Sequence, residues 1–166
     1  MRASPRVSDW MRVQVVDGNL LDQDVEVIVN AWNSNIFPWW LLLPQGVSGE
    51  IKRRGGTAPF RELRSAGLLA LGDAVMTGPG KLPFRAIIHV AGIGLLWRAS
   101  RRSVELSVRN AIALAAREHF RTVAFPLIGA GTGGFPPHEA QSLIANTLAA
   151  LPFDGDVSIV RYRSPS

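Results

Sequence analysis

Ala124-Phe125-Pro126-Leu127-Ile128-Gly129-Ala130-Gly131-Thr132-Gly133-Gly134-Phe135-Pro136 is the stretch that decides the fold. Residues 122–125 are apolar or β-branched and predict a buried strand. Pro137 stands where a helix can open, because the N–H it lacks is one that a first turn leaves unbonded. A glycine-rich turn between strand and helix has a physical use. Without Cβ atoms the backbone takes positive φ and comes close to a ligand. Successive N–H groups backed by a helix N-terminus form a concavity for an anion, usually phosphate. The plain alternative is a tight turn that binds nothing, and four glycines between Gly129 and Gly134 argue against it. The letters also satisfy G-x-G-x-x-G at Gly129, Gly131 and Gly134. A dinucleotide fingerprint, however, follows the first strand of a unit and has further strands after it. Here about 30 residues remain, enough for one helix and one strand.

Outward from that stretch the elements alternate. Strands are predicted over 11–16, 25–29, 74–77, 86–90, 122–125 and 157–162, the second of them ending before Asn30-Ala31-Trp32-Asn33. Helices are predicted over 46–54, 59–66, 100–119 and 137–151. In the longest, Val104, Val108, Ala111, Ile112, Ala115 and Ala116 recur at spacings of three and four. Several strands are apolar on both faces. That pattern predicts an α/β fold in three layers, a mixed sheet with helices on both faces. Residues 1–10 are polar and expected to fray, and 11–166 to form one domain. Ligands of such sheets sit beyond the carboxyl ends of strands. Three loops after strands, 17–20, 30–49 and 128–135, are therefore expected to converge on one cleft.

Composition narrows the partners. The formal net charge is +5, with basic clusters at Lys52-Arg53-Arg54, at Arg98, Arg101 and Arg102, and at Arg161 and Arg163. Such charge favours anionic partners, although each cluster alone reads as a solvated basic face. No basic groove interleaved with aromatics is present, so nucleic acid is not an expected partner. There is no cysteine, which excludes disulfides, thiol nucleophiles and thiolate metal sites. His89, His119 and His138 are too widely spaced for a paired-histidine metal motif. Neither a metal nor a cofactor is expected. Residues 1–9 do not read as a signal peptide, and the longest apolar run, 36–44, is too short to span a membrane. No membrane association and a cytoplasmic location are the expectations.

Four ordered blocks resemble the macrodomain family, the ADP-ribose-binding module. They are Gly18-Asn19-Leu20-Leu21, Ile28-Val29-Asn30-Ala31-Trp32-Asn33, Ile87-Ile88-His89-Val90 with Trp97, and Phe125-Pro126 through Gly134-Phe135-Pro136. Their order and spacing carry the resemblance over about residues 13–162. It implies a macrodomain-like sheet and roles for particular positions. The backbone of Gln45, Gly46, Val47, Ser48 and Gly49 would hold one side of a diphosphate. Ile128, Gly129, Ala130, Gly131, Thr132, Gly133, Gly134 and Phe135 would hold the other. Gly18, Asn19 and Leu20 would border the adenine. Asn33 would contact the distal ribose, while Asn30 would fix the loop from beneath. Tyr162 or Phe135 would cover the adenine or ribose; for Tyr162 an ordinary strand-end aromatic is an equal alternative. His89, in an apolar strand, is expected to be a satisfied core histidine.

Departures from the family pattern bear on chemistry. Asn19 stands where the family often has an aspartate that accepts from the adenine amino group. Ser48 replaces an aspartate often assigned to water activation, and Glu50 would project elsewhere if a helix begins there. Trp39 and Trp40, in a loop longer than in common members, would cap the cleft or fill the core. The function the resemblance implies is ADP-ribose binding with hydrolysis of mono-ADP-ribose from acidic residues of modified proteins, or of related ADP-ribose esters, with Asn33 and Ser48 as the catalytic pair. The alternative is a non-catalytic ADP-ribose reader. The expected partners are ADP-ribose and mono-ADP-ribosylated proteins, and the expected state is a monomer.

Overall fold

The computed structural model describes residues 11–33, 46–93, 99–130 and 134–163. Among them lie six strands: β1 (Met11–Gly18), β2 (Val27–Asn33), β3 (Ala74–Thr77), β4 (Ala86–Ile93), β5 (Thr122–Pro126) and β6 (Gly155–Tyr162). Four α-helices accompany them: α1 (Gly46–Gly55), α2 (Ala58–Ser65), α3 (Arg101–Arg117) and α4 (Pro137–Ala149). The strands form one sheet in the order β1-β6-β5-β2-β4-β3. Only the β3–β4 pair in it is antiparallel. The expected mixed sheet is thus parallel through five strands and antiparallel at one edge.

Period-two alternation along the strands feeds two cores. Val27, Val29, Val123, Phe125, Val157 and Ile159 pack on one face with Val104, Val108, Ile112 and Ala115 of α3 and Leu143, Ile144 and Leu148 of α4. Ile28, Ile87, Ala124 and Val160 pack on the other face with Ile51 of α1 and Phe60 and Leu63 of α2. Two apolar faces need two covering layers, which is why the chain reads as α/β/α. The stripe on α3 differs from its sequence prediction at one end. Ala116 is exposed, and Leu114 is buried instead. At 3.6 residues per turn Ala116 stands roughly 120° round the helix from Val104, outside the face that meets the sheet. The start of α3 is set by a reciprocal cap, Ser103 N–H to Ser100 Oγ at 3.0 Å and Ser100 N–H to Ser103 Oγ at 2.9 Å.

β2 runs further than its apolar letters. It continues through Asn30, Ala31 and Asn33, which pair with His89, Val90 and Ile93 of an equally prolonged β4. Adjacent parallel strands supply each other's backbone partners, so neither stops where hydrophobicity does. At the amino edge of the sheet Glu26 ties strand starts together. Its Oε2 accepts from the N–H groups of Arg121 (2.6 Å) and Thr122 (3.2 Å), and its Oε1 from Arg85 Nη1 (3.1 Å). These donors, the Arg121 N–H foremost, hold the Glu26 carboxyl below its ordinary range.

Candidate functional site

The five parallel strands point one way, so β1, β6, β5, β2 and β4 end on a common edge. β2 and β5 are neighbours there. From β2 the chain leads to α1 and α2 on one face; from β5 it leads to α4 on the other. Loops that leave adjacent strands for opposite faces open a crevice between them, the usual ligand position in such sheets. The loop after β1 reaches the same edge, because Gly18 pairs with Tyr162 at the end of β6.

The loop after β1 is shaped by local contacts. Gly18 has φ of +144°, a region in which L side chains are strained. Asn19 Oδ1 accepts from Leu21 N–H at 2.9 Å and caps a short 3-10 turn, Leu20–Asp22. The Leu20 side chain is in the core, so only its backbone is available to a ligand. The Asn19 carbonyl expected to face an adenine thus already has this local donor, and its second lone pair is what it has to offer. Asp17, two residues earlier, is engaged along the strand by Arg161 Nε (2.7 Å) and Arg163 Nη2 (3.3 Å). Tyr162 projects exposed beside this loop.

On the second side, α1 opens at Gly46 with φ of +63°. Val47 packs against the core beneath it. Ser48 Oγ donates to Asn30 Oδ1 at 2.9 Å. Asn30 is fully buried, and its Nδ2 lies 3.0 Å from His89 Nδ1. His89 Nε2 lies 2.8 Å from Thr77 Oγ1, which donates onward to Gly78 O at 3.1 Å. The first turn of α1 is thus anchored to β2, β4 and β3 by one buried polar line, in keeping with Asn30 fixing the loop from beneath. Phe60 meets the His89 ring edge-on, with centroids 6.2 Å apart, and Trp32 lies 5.7 Å beyond Phe60. Burial pushes His89 down to about 3, so it is neutral near pH 7 and belongs to the core as expected. Glu50 turns away to Arg53 and Arg54 on its own helix, and the Arg53 hydrogen bond holds its carboxyl below the ordinary range.

The loop after β5 is built on Gly129, whose φ is +88°. A Cβ there would stand 3.1 Å from both Ala99 Cβ and Val104 Cγ2 and 3.3 Å from Phe135 Cδ2. Ile128 N–H bonds Pro126 O (2.9 Å), Ala130 N–H bonds Leu127 O (3.1 Å) and Phe135 N–H bonds Gly129 O (3.0 Å). Those three donors shape the loop, and Ala130 and Phe135 clasp its two limbs in a bridge. Gly134, with φ of +83°, has open space where a Cβ would stand.

Of the sequence-predicted residues, Gly18, Asn19, Gly46, Val47, Ser48, Gly49, Gly129, Ala130, Gly134, Phe135 and Tyr162 lie along the carboxyl edge or the turns it carries. Ile128 is fully buried beneath the loop. Asn33 is the final residue of β2, opposite Ile93. Gln45, Gly131, Thr132 and Gly133, like Trp39, Trp40, Trp97 and Arg98, lie outside the described residues. Thr77 is the residue that sequence reasoning missed. Its signal is the pairing of β3 with β4, which a four-residue strand does not announce. The basic clusters are largely engaged by neighbouring carboxylates. Arg53 meets Glu50, Arg54 meets Asp22, and Arg161 and Arg163 share Asp17.

Comparison with known proteins agrees with this architecture. The Macro domain family profile matches residues 29–144. An O-acetyl-ADP-ribose deacetylase of Salmonella newport is 34% identical over 162 residues, covering 93% of this chain and 83% of its own. A macro domain-containing protein of Streptomyces griseus is 38% identical over 145 residues, covering 83% of this chain and 79% of its own. Among solved structures, the Oceanobacillus iheyensis macrodomain with ADP superposes with a TM-score of 0.77 at 28% identity, covering 92% of this chain and 83% of that one. A glycine-to-valine variant of that macrodomain with ADPR gives a TM-score of 0.74 at 27% identity, covering 92% and 85%.

Proposed function

The chain belongs to the macro domain family, and we propose on that premise that it binds ADP-ribose and hydrolyses ADP-ribose esters. The observation that carries this reading is the placement of the first turn of α1 and the Gly129 loop at the carboxyl ends of the adjacent strands β2 and β5. Helix-start N–H groups, and those of the glycine loop other than the bonded Ile128, Ala130 and Phe135, suit a diphosphate. An O-acetyl-ADP-ribose deacetylase among the relatives and macrodomain neighbours carrying ADP or ADPR support both the ligand and the reaction class.

In this reading Asn33 orients the distal ribose, and Ser48 helps to place the attacking water. A serine is not a base at neutral pH. Glu50, the nearest carboxylate along the chain, is ion-paired with Arg53 and Arg54. The ligand's own phosphate therefore orients the water. For a carboxylate joined at C1″, the C1″–O bond breaks with its electron pair on the carboxylate. Water adds at C1″ and gives up a proton to solvent. Positive charge that develops at C1″ is stabilised by the adjacent phosphate and by the dipoles of the loops. Within the ester class, the proposed macromolecular substrates are proteins mono-ADP-ribosylated on glutamate or aspartate, whose carboxylate leaving group needs little acid assistance.

A reader that binds without cleaving is the second reading, favoured by Ser48 at the position where hydrolytic members often carry aspartate. Incubation with O-acetyl-ADP-ribose and, separately, with glutamate-linked ADP-ribosyl protein decides between them. Released ADP-ribose, followed by chromatography, is expected in both. Release from the acetyl ester alone narrows the substrate class, and retention of both esters by a protein that binds ADP-ribose makes it a reader.

A further inference from the structure

The buried line behind Ser48 has a direction. It ends on the Gly78 carbonyl, which only accepts. The one hydroxyl proton of Thr77 goes to that carbonyl, 3.1 Å away. With its proton on that carbonyl, Thr77 Oγ1 has lone pairs to offer His89 Nε2, 2.8 Å away. A neutral imidazole carries a single ring proton, so protonation at Nε2 makes Nδ1 an acceptor. Asn30 Nδ2 donates to it at 3.0 Å. That fixes the amide and turns Oδ1 to Ser48, whose hydroxyl proton it takes at 2.9 Å. Ser48 has no second proton. Any further group it meets finds lone pairs only. All three intervening side chains are buried, Asn30 and His89 completely and Thr77 to within 4%, so water does not interrupt the order.

We propose that Thr77 and His89 are positioning residues that hold Ser48 as an obligate hydrogen-bond acceptor at the crevice. In that state Ser48 accepts a hydrogen bond from an O–H of the attacking water and leaves the water's lone pair to the carbon under attack. This rests on the ester-hydrolase reading for its chemical consequence, while the order of the protons rests on the partners along the buried line and on the Asn30 amide with Oδ1 toward Ser48. Removing the Thr77 hydroxyl lets the line reverse. The ring proton then moves to Nδ1, the Asn30 amide turns over, and Ser48 becomes free to donate outward, the wrong polarity for orienting a water by its hydrogen.

The test uses the full chain, O-acetyl-ADP-ribose as substrate, and long-range proton–nitrogen spectra of the histidine rings. In the parent protein His89 is expected to carry its proton on Nε2. Thr77→Val should shift it to Nδ1 and lower kcat roughly fivefold, the scale of one hydrogen bond, at unchanged KM. Thr77→Ser should restore both. On a Ser48→Ala background, Thr77→Val should change kcat by less than about twofold, because residues that act through one another are not additive. A parent His89 protonated on Nδ1 overturns the proposal. So does a Thr77→Val loss that is equal with and without Ser48, which is the mark of a merely structural role. If the parent releases no ADP-ribose, the hydrolase reading fails separately, and the ring spectrum of the unmodified protein still decides the proton order.

Discussion

Replacing His89 with glutamine should flatten the acid limb of this protein's stability, by an amount that follows from its burial. The ring is fully buried, with both nitrogens held by neutral groups, Asn30 and Thr77. Among the described residues nothing nearby repays a positive charge, and burial lowers the ring from 6.5 to about 3. Between those values the unfolded chain takes up a proton that the native protein refuses. Stability is then complete above pH 6.5, falls as the pH drops through the window, and levels below about 3. The limiting slope is about 1.4 kcal/mol per pH unit. Lowering the pH from 7.5 to 5 should therefore cost about 2 kcal/mol through this one residue. Glutamine, uncharged throughout, contributes no such slope. Urea unfolding of parent and His89→Gln at pH 7.5, 6.5, 5.5 and 5 measures it. The variant will be less stable at every pH if its two hydrogen bonds are poorer, but that offset is constant. The quantity read is the change in the difference with pH, in which carboxylates such as Glu26 cancel. A gap between the two proteins that stays constant from pH 7.5 to 5 would refute the reasoning.

Other perturbations separate structure from site. Gly129→Ala should destabilise the fold by about 1–3 kcal/mol in urea melts and weaken ADP-ribose binding, because the new Cβ meets Ala99 and Val104 at 3.1 Å in a backbone with φ of +88°. Glu26→Ala removes the acceptor of the Arg121 and Thr122 N–H groups. It should lower stability by roughly 1–3 kcal/mol while leaving ADP-ribose affinity unchanged, since it lies at the opposite edge of the sheet. Asn33→Ala should reduce turnover of O-acetyl-ADP-ribose by at least about tenfold, and Ser48→Ala by roughly fivefold. Both variants should first be shown to be folded by circular dichroism, and the reverse ranking would contradict the assignment of roles.

Most of the architecture is legible in the letters, for identifiable reasons. Residues 123–125 are uniformly apolar because β5 lies mid-sheet between two covering layers, and the glycines after it mark the turn outright. The apolar spacing shows α3, whose start is set by the reciprocal Ser100–Ser103 cap that only the structure reveals. The exposed edge strand β1 is read correctly from its loose alternation. Legibility fails where long-range pairing overrides local character. Asn30 looks like the start of a loop, yet it lies within β2 because β4 continues beside it and His89 satisfies its amide. Ala116 fits a spacing rule but falls past the edge of the buried stripe. In the candidate site, the glycine turns and Ser48 are visible from sequence. Its support is not, because Thr77 becomes relevant only through the antiparallel register of β3 on β4. Asn19 shows its Asx-type cap only once the following turn is formed, and Asp17 shows its commitment to Arg161 and Arg163 only once β1 and β6 are paired.

Titration calorimetry with ADP-ribose and, in parallel, with AMP tests the central claim most directly. AMP keeps the adenine and one phosphate but lacks the second phosphate and the distal ribose, the groups assigned to the crevice between β2 and β5. The account predicts a single site for ADP-ribose and binding of AMP weaker by at least about tenfold, a difference of roughly 1.4 kcal/mol. No measurable binding of ADP-ribose, or equal affinity for the two nucleotides, would contradict it.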